Sequence, residues 1–168
     1  MGLVDRAPNN AELARMREMV AEAMNDGAWG ISTGLKYLPG SFAKTDEVIA
    51  LSREAAKRGG YYTSHLREEG LGLMDAVKEA IEIGRQAKIP IVLTHHKVIG
   101  QPMWGKSRKT LALVDSARKE GIDVIPEIMI PLISHVNELK WVKDRLELIA
   151  QQTMQEEELE IGYSFCTM

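Results

Sequence analysis

Short apolar strand patterns alternate along this chain with one-sided helical patterns, and the strand starts recur every ~30 residues or slightly more. That alternation constrains the chain to successive βαβ units around a parallel sheet with right-handed crossovers. Helices are predicted over about Ala11–Met24, Thr45–Arg58, Gly70–Ala87, Ser107–Glu120 and Val136–Glu157. The first has Asn9 as its cap with Glu12 three residues on, and Leu13, Met16, Val20, Ala23 and Met24 on one face. Leu73, Met74, Val77, Ala80, Ile81 and Gly84 form the stripe of the third helix; Val136, Leu139, Val142, Leu146 and Ile149 form that of the last. Strands are predicted at Ala28–Thr33, Tyr61–His65 and Ile89–His95, at Ile122–Ile130 with an interruption at Pro126, and at Ile161–Phe165. The expected fold is α/β: a partial (β/α) barrel of about five parallel strands with alternating helices, where a closed barrel has eight. A doubly wound sheet fits the same count, but Gly100–Gly105 is neither a dinucleotide nor a P-loop glycine pattern.

Composition narrows the partners. The 168 residues carry a net charge of −3, with 45% hydrophobic and 27% charged residues, as in one ordinary globular domain over 1–168. A pI near 5.8 and 5% aromatics give no general reason to bind nucleic acid or an anionic membrane. The single cysteine, Cys166, excludes an internal disulfide framework. No apolar run approaches the roughly 20 residues of a membrane span, and Met1–Asn10 has no apolar signal region. A cytoplasmic location is expected. Most of the nine methionines fall in predicted cores and read as packing.

The chemistry is expected at the C-terminal ends of the strands. His65 ends the second strand and His95 the third, and alternation along a strand lets Arg67 follow His65 and Lys97 follow His95. Two neighbouring strands would then present an imidazole pair, suited to Zn²⁺, with a cation beside each suited to a carboxylate or oxyanion. The bland alternatives are a hydrogen-bonded structural histidine at each strand end, and a solvated loop at Arg67-Glu68-Glu69. His96 is expected to point opposite to His95 and to be structural. His135 assists a helix start, with Ser134 the better cap. Trp104 and Trp141 read as core or interface, and Glu156–Glu158 as a solvated helix end.

Gly27-Ala-Trp-Gly-Ile-Ser-Thr-Gly-Leu35, Ser64-His-Leu-Arg-Glu-Glu-Gly70, Ala80-Ile-Glu-Ile-Gly-Arg85, Thr94-His-His-Lys97, Trp104-Gly-Lys106 and Thr110-Leu-Ala-Leu113 follow one another in order. Together they resemble the N-acyl-D-amino-acid deacylases, zinc amidohydrolases on a (β/α)₈ barrel, from Met1 to about Val124. The resemblance implies that His65 and His95 are metal ligands and that Lys97 lies by the substrate. Four family features have no counterpart: the first-strand His-x-His, the bridging Cys, a Tyr-Pro-Tyr stretch that is here Pro126-Glu-Ile-Met, and the last-strand Asp base. From Pro126 onward, Pro126-Glu-Ile-Met-Ile-Pro-Leu132, Glu138-Leu-Lys140 and Tyr163-Ser-Phe-Cys-Thr-Met168 resemble the PEP-binding barrel of pyruvate phosphate dikinase, with Cys166 at a usual Gly position. The chain thus reads as two barrel pieces, 1–125 and 126–168, joined inside a strand, the first beginning within its barrel.

The resulting expectation is an amidohydrolase-like barrel fragment with zinc as its weakly held cofactor and an N-acyl amino acid as its substrate. His65 and His95 hold the metal, and Lys97 and Arg67 hold the substrate carboxylate. Glu127, Cys166 or a partner chain would supply the third ligand. Because ligands and base are missing, the fragment is expected to be catalytically incomplete. The alternatives are a non-catalytic chimeric or designed half-barrel scaffold and a phosphoenolpyruvate- or pyruvate-binding fragment. Exposed sheet edges invite homo-oligomers.

Overall fold

The computed structural model describes residues 2–130, 132–158 and 163–167, the last four of them by their backbone. The elements alternate: α1 (Asn10–Asn25), β1 (Gly30–Gly34), α2 (Thr45–Ala56), β2 (Tyr61–His65), α3 (Leu73–Ala87), β3 (Ile91–Leu93), α4 (Ser107–Lys119), β4 (Val124–Ile130), α5 (Val136–Glu156) and β5 (Ser164–Thr167). The strands form one sheet in the order β1-β2-β3-β4-β5, parallel throughout. The α/β reading with about five parallel strands therefore holds.

One face of the sheet is covered by helices. Tyr62 and Ser64 of β2 stand in register with Ile91 and Leu93 of β3, and all four are buried. Tyr62, Ile91 and Leu93 join Val48, Ile49, Val77, Ala80, Ile81, Val114 and Val124 in a single apolar cluster under α2, α3 and α4. The alternate residues Thr63, His65, Val92 and Ile125 are only half-buried, because alternation along a strand turns them to the other face.

Several boundaries depart from expectation for local reasons. Helix α1 starts on Asn9, whose side chain accepts from the Glu12 N–H while the Glu12 carboxylate returns to the Asn9 N–H. It buries none of its residues; only Val20 and Met24 pack against the core. Helix α3 begins at Leu73 rather than Gly70: the chain bends and turns over residues 69–72, with the Glu68 carboxylate on the Gly70 N–H and Gly72 at the cap position. Strand β3 ends at Leu93, two residues before the predicted end, where the chain turns and His95 adopts φ +41°. Strand β4 is not interrupted at Pro126. Its pairing to β3 ends at Pro126 and its pairing to β5 begins at Glu127, so the residue without an N–H sits where the ladder changes partner.

The last helix corrects two readings. His135, not Ser134, caps α5: its Nδ1 accepts the Asn137 N–H, while Ser134 donates to Glu138. Helix α5 buries no residue, and Val136 and Ile149 of its predicted stripe are exposed. Trp104 and Trp141, expected in a core or interface, are each 70% exposed. Strand β5 starts at Ser164, and the predicted strand residues Ile161 and Gly162 lie outside the described residues, as does the side chain of Cys166.

Two outcomes are expected. A Cβ at Gly84 would run into the side chain of Ile91, so Gly84→Val should lower the unfolding free energy by about 1–3 kcal/mol in urea titrations. The Arg6 guanidinium, then the Asn9 N–H, holds the Glu12 carboxyl at about 2, below its ordinary 4.5. Its contribution to α1 is therefore complete above pH 4.5 and lost as pH falls toward 2. Carboxyl NMR titration should place the midpoint near 2 and move it upward in Arg6→Ala.

Candidate metal centre

His65 is the last residue of β2, and His95 lies in the turn after β3. Ser64 pairs with Leu93, so His65 stands level with Thr94, and a straight continuation of β3 would send His95 to the opposite face from His65. The left-handed backbone at His95 reverses that direction. Glu127 of β4 pins this turn: its Oε2 accepts the His95 N–H at 3.0 Å and its carbonyl accepts the His96 N–H at 2.9 Å.

The two rings meet edge to face. His65 Nδ1 and His95 Nε2 are 2.7 Å apart, with ring centroids 4.5 Å apart and planes at 73°. Tyr37 closes one side of the site, its ring centroid 4.7 Å from that of His65. Glu69, from the loop after β2, lies against both rings. Its Oε2 is 3.5 Å from His65 Nε2, and its Oε1 is 3.3 Å from His95 Nδ1. Lys97 Nζ lies 2.6 Å from Glu69 Oε1 and 2.8 Å from His95 Nδ1. The Glu69 side chain is only 4% exposed, against 42% for Lys97.

Glu69 is buried because its loop is built from the backbone outward. The Glu68 carboxylate accepts the Glu69 and Gly70 N–H groups, each at 2.8 Å, and pairs with Lys36 at 3.0 Å. The Gly70 N–H first, then Lys36, holds the Glu68 carboxyl at about 2. The Ile99 N–H donates to the Glu69 carbonyl at 2.8 Å. Arg67-Glu68-Glu69 is therefore not a solvated loop. Burial, opposed by Glu69 and reinforced by His95, Lys97 and Lys36, lowers the pKa of His65, so its neutral form, the form that ligates metals, is favoured.

These residues fit a divalent ion. His65, Glu69 and His95 offer ligand atoms that all lie within 4.8 Å of one another. His65 Nδ1 and His95 Nε2, 2.7 Å apart, bring one nitrogen of each ring to a common point. Two nitrogens on one tetrahedral zinc lie about 3.3 Å apart, so a modest opening of the His65–His95 contact admits the ion.

The other predicted residues fall as follows. Lys97 reaches the cluster. The Arg67 guanidinium does not face it: it pairs with Glu79 at 2.8 Å and donates to the carbonyls of Ser41 at 3.1 Å and Ala43 at 2.9 Å. Glu127, a candidate third ligand, holds the His95 backbone instead. His96 points to α4, where its Nε2 meets Thr110 Oγ1 at 2.8 Å. Sequence reasoning missed Glu69, since a loop has no periodicity to aim a side chain. The available signal was charge balance: Lys97 beside His95 needs a counter-ion, and Glu69 follows the neighbouring strand.

Known proteins match the chain in both sequence and structure. The D-aminoacylase of Alcaligenes xylosoxydans xylosoxydans is 45% identical over 114 residues, 68% of this chain and 24% of the relative. The crystal structure of N-acyl-D-glutamate deacylase from Bordetella bronchiseptica, complexed with zinc and a phosphonate inhibitor, superposes with a TM-score of 0.72 at 43% identity, covering 74% of this chain and 26% of that one. A shorter match is to pyruvate, phosphate dikinase of Clostridium symbiosum, 40% identical over 57 residues, 34% of this chain and 6% of that protein. No family model matches. The chain spans about a quarter of the length of the curated deacylases it matches. Over about the first 70% of its length, the chain is homologous to the N-acyl-D-amino-acid deacylases.

Proposed function

We propose that this chain carries the metal-holding segment of an N-acyl-D-amino-acid deacylase site. The supporting observation is the 2.7 Å approach of His65 Nδ1 to His95 Nε2 at the C-terminal edge of the sheet. His65 and His95 hold the ion, which is zinc in the similar Bordetella bronchiseptica structure. When bound, such an ion polarises an amide carbonyl and lowers the pKa of water. Lys97, the half-exposed cation of the cluster, presents its ammonium to the carboxylate of an N-acyl amino acid. Glu127 keeps the His95 backbone in place, and Arg67 braces the loop scaffold behind the site.

The described residues supply part of a hydrolytic site. Two imidazoles converge to hold the ion, and the one buried carboxylate beside them is paired with Lys97, so none of the three is left over as a general base. The chain as given is expected to take up zinc without hydrolysing N-acyl-D-amino acids. About one equivalent of zinc should remain after gel filtration, and His65→Ala and His95→Ala should each lose it. Arg67→Met should keep the zinc while lowering stability by about 1–3 kcal/mol, the worth of its charge-assisted bonds. A wild-type chain without zinc overturns the metal reading, and turnover overturns the incompleteness.

A junction between two barrel pieces near Val124–Pro126 is the second part of this reading. The observation favouring it is the change of neighbour at Pro126 and Glu127, followed by a helix that buries no residue. Limited proteolysis is expected to remove α5 first and to leave a resistant core of β1–β4 with α2–α4; uniform resistance of α5 would contradict it.

A further inference from the structure

We propose that Glu69 is a positioning residue that biases both imidazoles toward one cation by setting its buried negative charge against their outer nitrogens. This rests on the metal reading above and concerns the one buried acid in the cluster.

The argument starts from which nitrogen faces which partner. His65 Nδ1 and His95 Nε2 face each other. The remaining nitrogens, His65 Nε2 and His95 Nδ1, face the two oxygens of one carboxylate, Glu69 Oε2 at 3.5 Å and Glu69 Oε1 at 3.3 Å. A carboxylate is an acceptor only, so it favours a proton on each outer nitrogen, although at His95 Nδ1 the Lys97 ammonium competes for that place. Two inner lone pairs in contact repel unless a proton or a cation lies between them. Glu69 thus prepares the inner pair for a cation, in the manner of a carboxylate that fixes the tautomer of a ligating histidine.

The same geometry accounts for Lys97. Without a cation, Lys97 donates to His95 Nδ1, the His95 Nε2–H donates to His65 Nδ1, and the His65 Nε2–H faces Glu69. This forms a closed ring, since Lys97 also donates to Glu69. If His65 and His95 held a cation through their inner nitrogens, the His95 proton would sit on Nδ1 instead of Nε2, with no net gain or loss of protons. Glu69 Oε1 then accepts it, and the ammonium, which has only donors, leaves His95. The ammonium released in this way is the group assigned to the substrate carboxylate.

Glu69 is not itself the third ligand here. Its two oxygens lie on the outer sides of the rings, and Lys97 neutralises it at 2.6 Å. Its Oε1 accepts from Lys97, and its Oε2 faces the outer nitrogen of His65 at 3.5 Å.

The test reads tautomers and metal affinity on the full chain. In long-range ¹H–¹⁵N spectra of the metal-free protein, His65 should carry its proton on Nε2. In Glu69→Gln that preference should weaken, while Glu69→Asp should retain part of it. With ¹¹³Cd bound, one-bond couplings should appear at His65 Nδ1 and His95 Nε2. Zinc affinity, measured by chelator competition, should fall ~10–100-fold in Glu69→Gln with stoichiometry unchanged. Coupling at the outer nitrogens, an oxygen ligand lost from X-ray absorption spectra in Glu69→Gln, or unchanged affinity would each overturn the proposal. Should Glu69→Gln fail to fold, the tautomer and cadmium spectra of the wild-type chain decide it. A chain that takes up no metal sinks the reading above, while a His65 proton on Nδ1 in the metal-free wild type sinks this one.

Discussion

The left-handed turn at His95 is the constraint on which the site depends. Parallel pairing fixes β2 and β3 side by side, but it aligns His65 with Thr94, not with His95. Regular strand geometry would bury His95 among the apolar residues under the helices and leave His65 alone on the open face. A positive φ at a non-glycine residue costs about 1–3 kcal/mol and persists only where the surroundings over-determine it. Here Glu127 does so, taking the His95 N–H with its side chain and the His96 N–H with its carbonyl. The strain is local, and its result is an imidazole contact that neither strand alone would make.

Charge balance is the second requirement. A buried carboxylate is costly unless paired and hydrogen-bonded. Glu69 meets that condition with Lys97 at 2.6 Å and two imidazoles within 3.5 Å. The pairing is asymmetric, because the acid is buried and the ammonium is half in solvent. An exposed lysine can exchange partners at small desolvation cost, whereas the acid cannot leave. The fixed member of the cluster is therefore Glu69 and the adjustable member is Lys97, which suits a frame for a metal and a contact for an incoming anion respectively.

Much of the fold was legible in the sequence because its signals are local. Asn9 with Glu12 marks a capping box, Tyr61–His65 is a strand with the predicted limits, and the stripe from Leu73 to Gly84 is the buried face of α3. The histidine pair was also legible, although the reasoning from alternation placed the rings together for the wrong cause: periodicity ended at Leu93, and a backbone reversal did the rest. Arg67 shows the opposite failure. Two residues past His65 it has left the strand, so it follows the loop and spends its guanidinium on Glu79 and two carbonyls. Glu69 and the exposure of α5 were illegible for a related reason. Each depends on which surfaces the rest of the molecule brings up, and a periodic stripe states only that a helix could be buried.

Strand β4 links these points. Its first half pairs with β3 through Val124, Ile125 and Pro126, continuing the sheet that carries the site; its second half pairs only with β5. Glu127 falls at the change of partner, the first residue past the β3 ladder. Its carboxylate is thereby free to reach across to the His95 backbone instead of lying alongside a paired neighbour. Slipping β4 by one residue against β3 would turn this carboxylate to the opposite face, since successive residues alternate. The imidazole pair therefore constrains the register of β4 as well as that of β2 and β3.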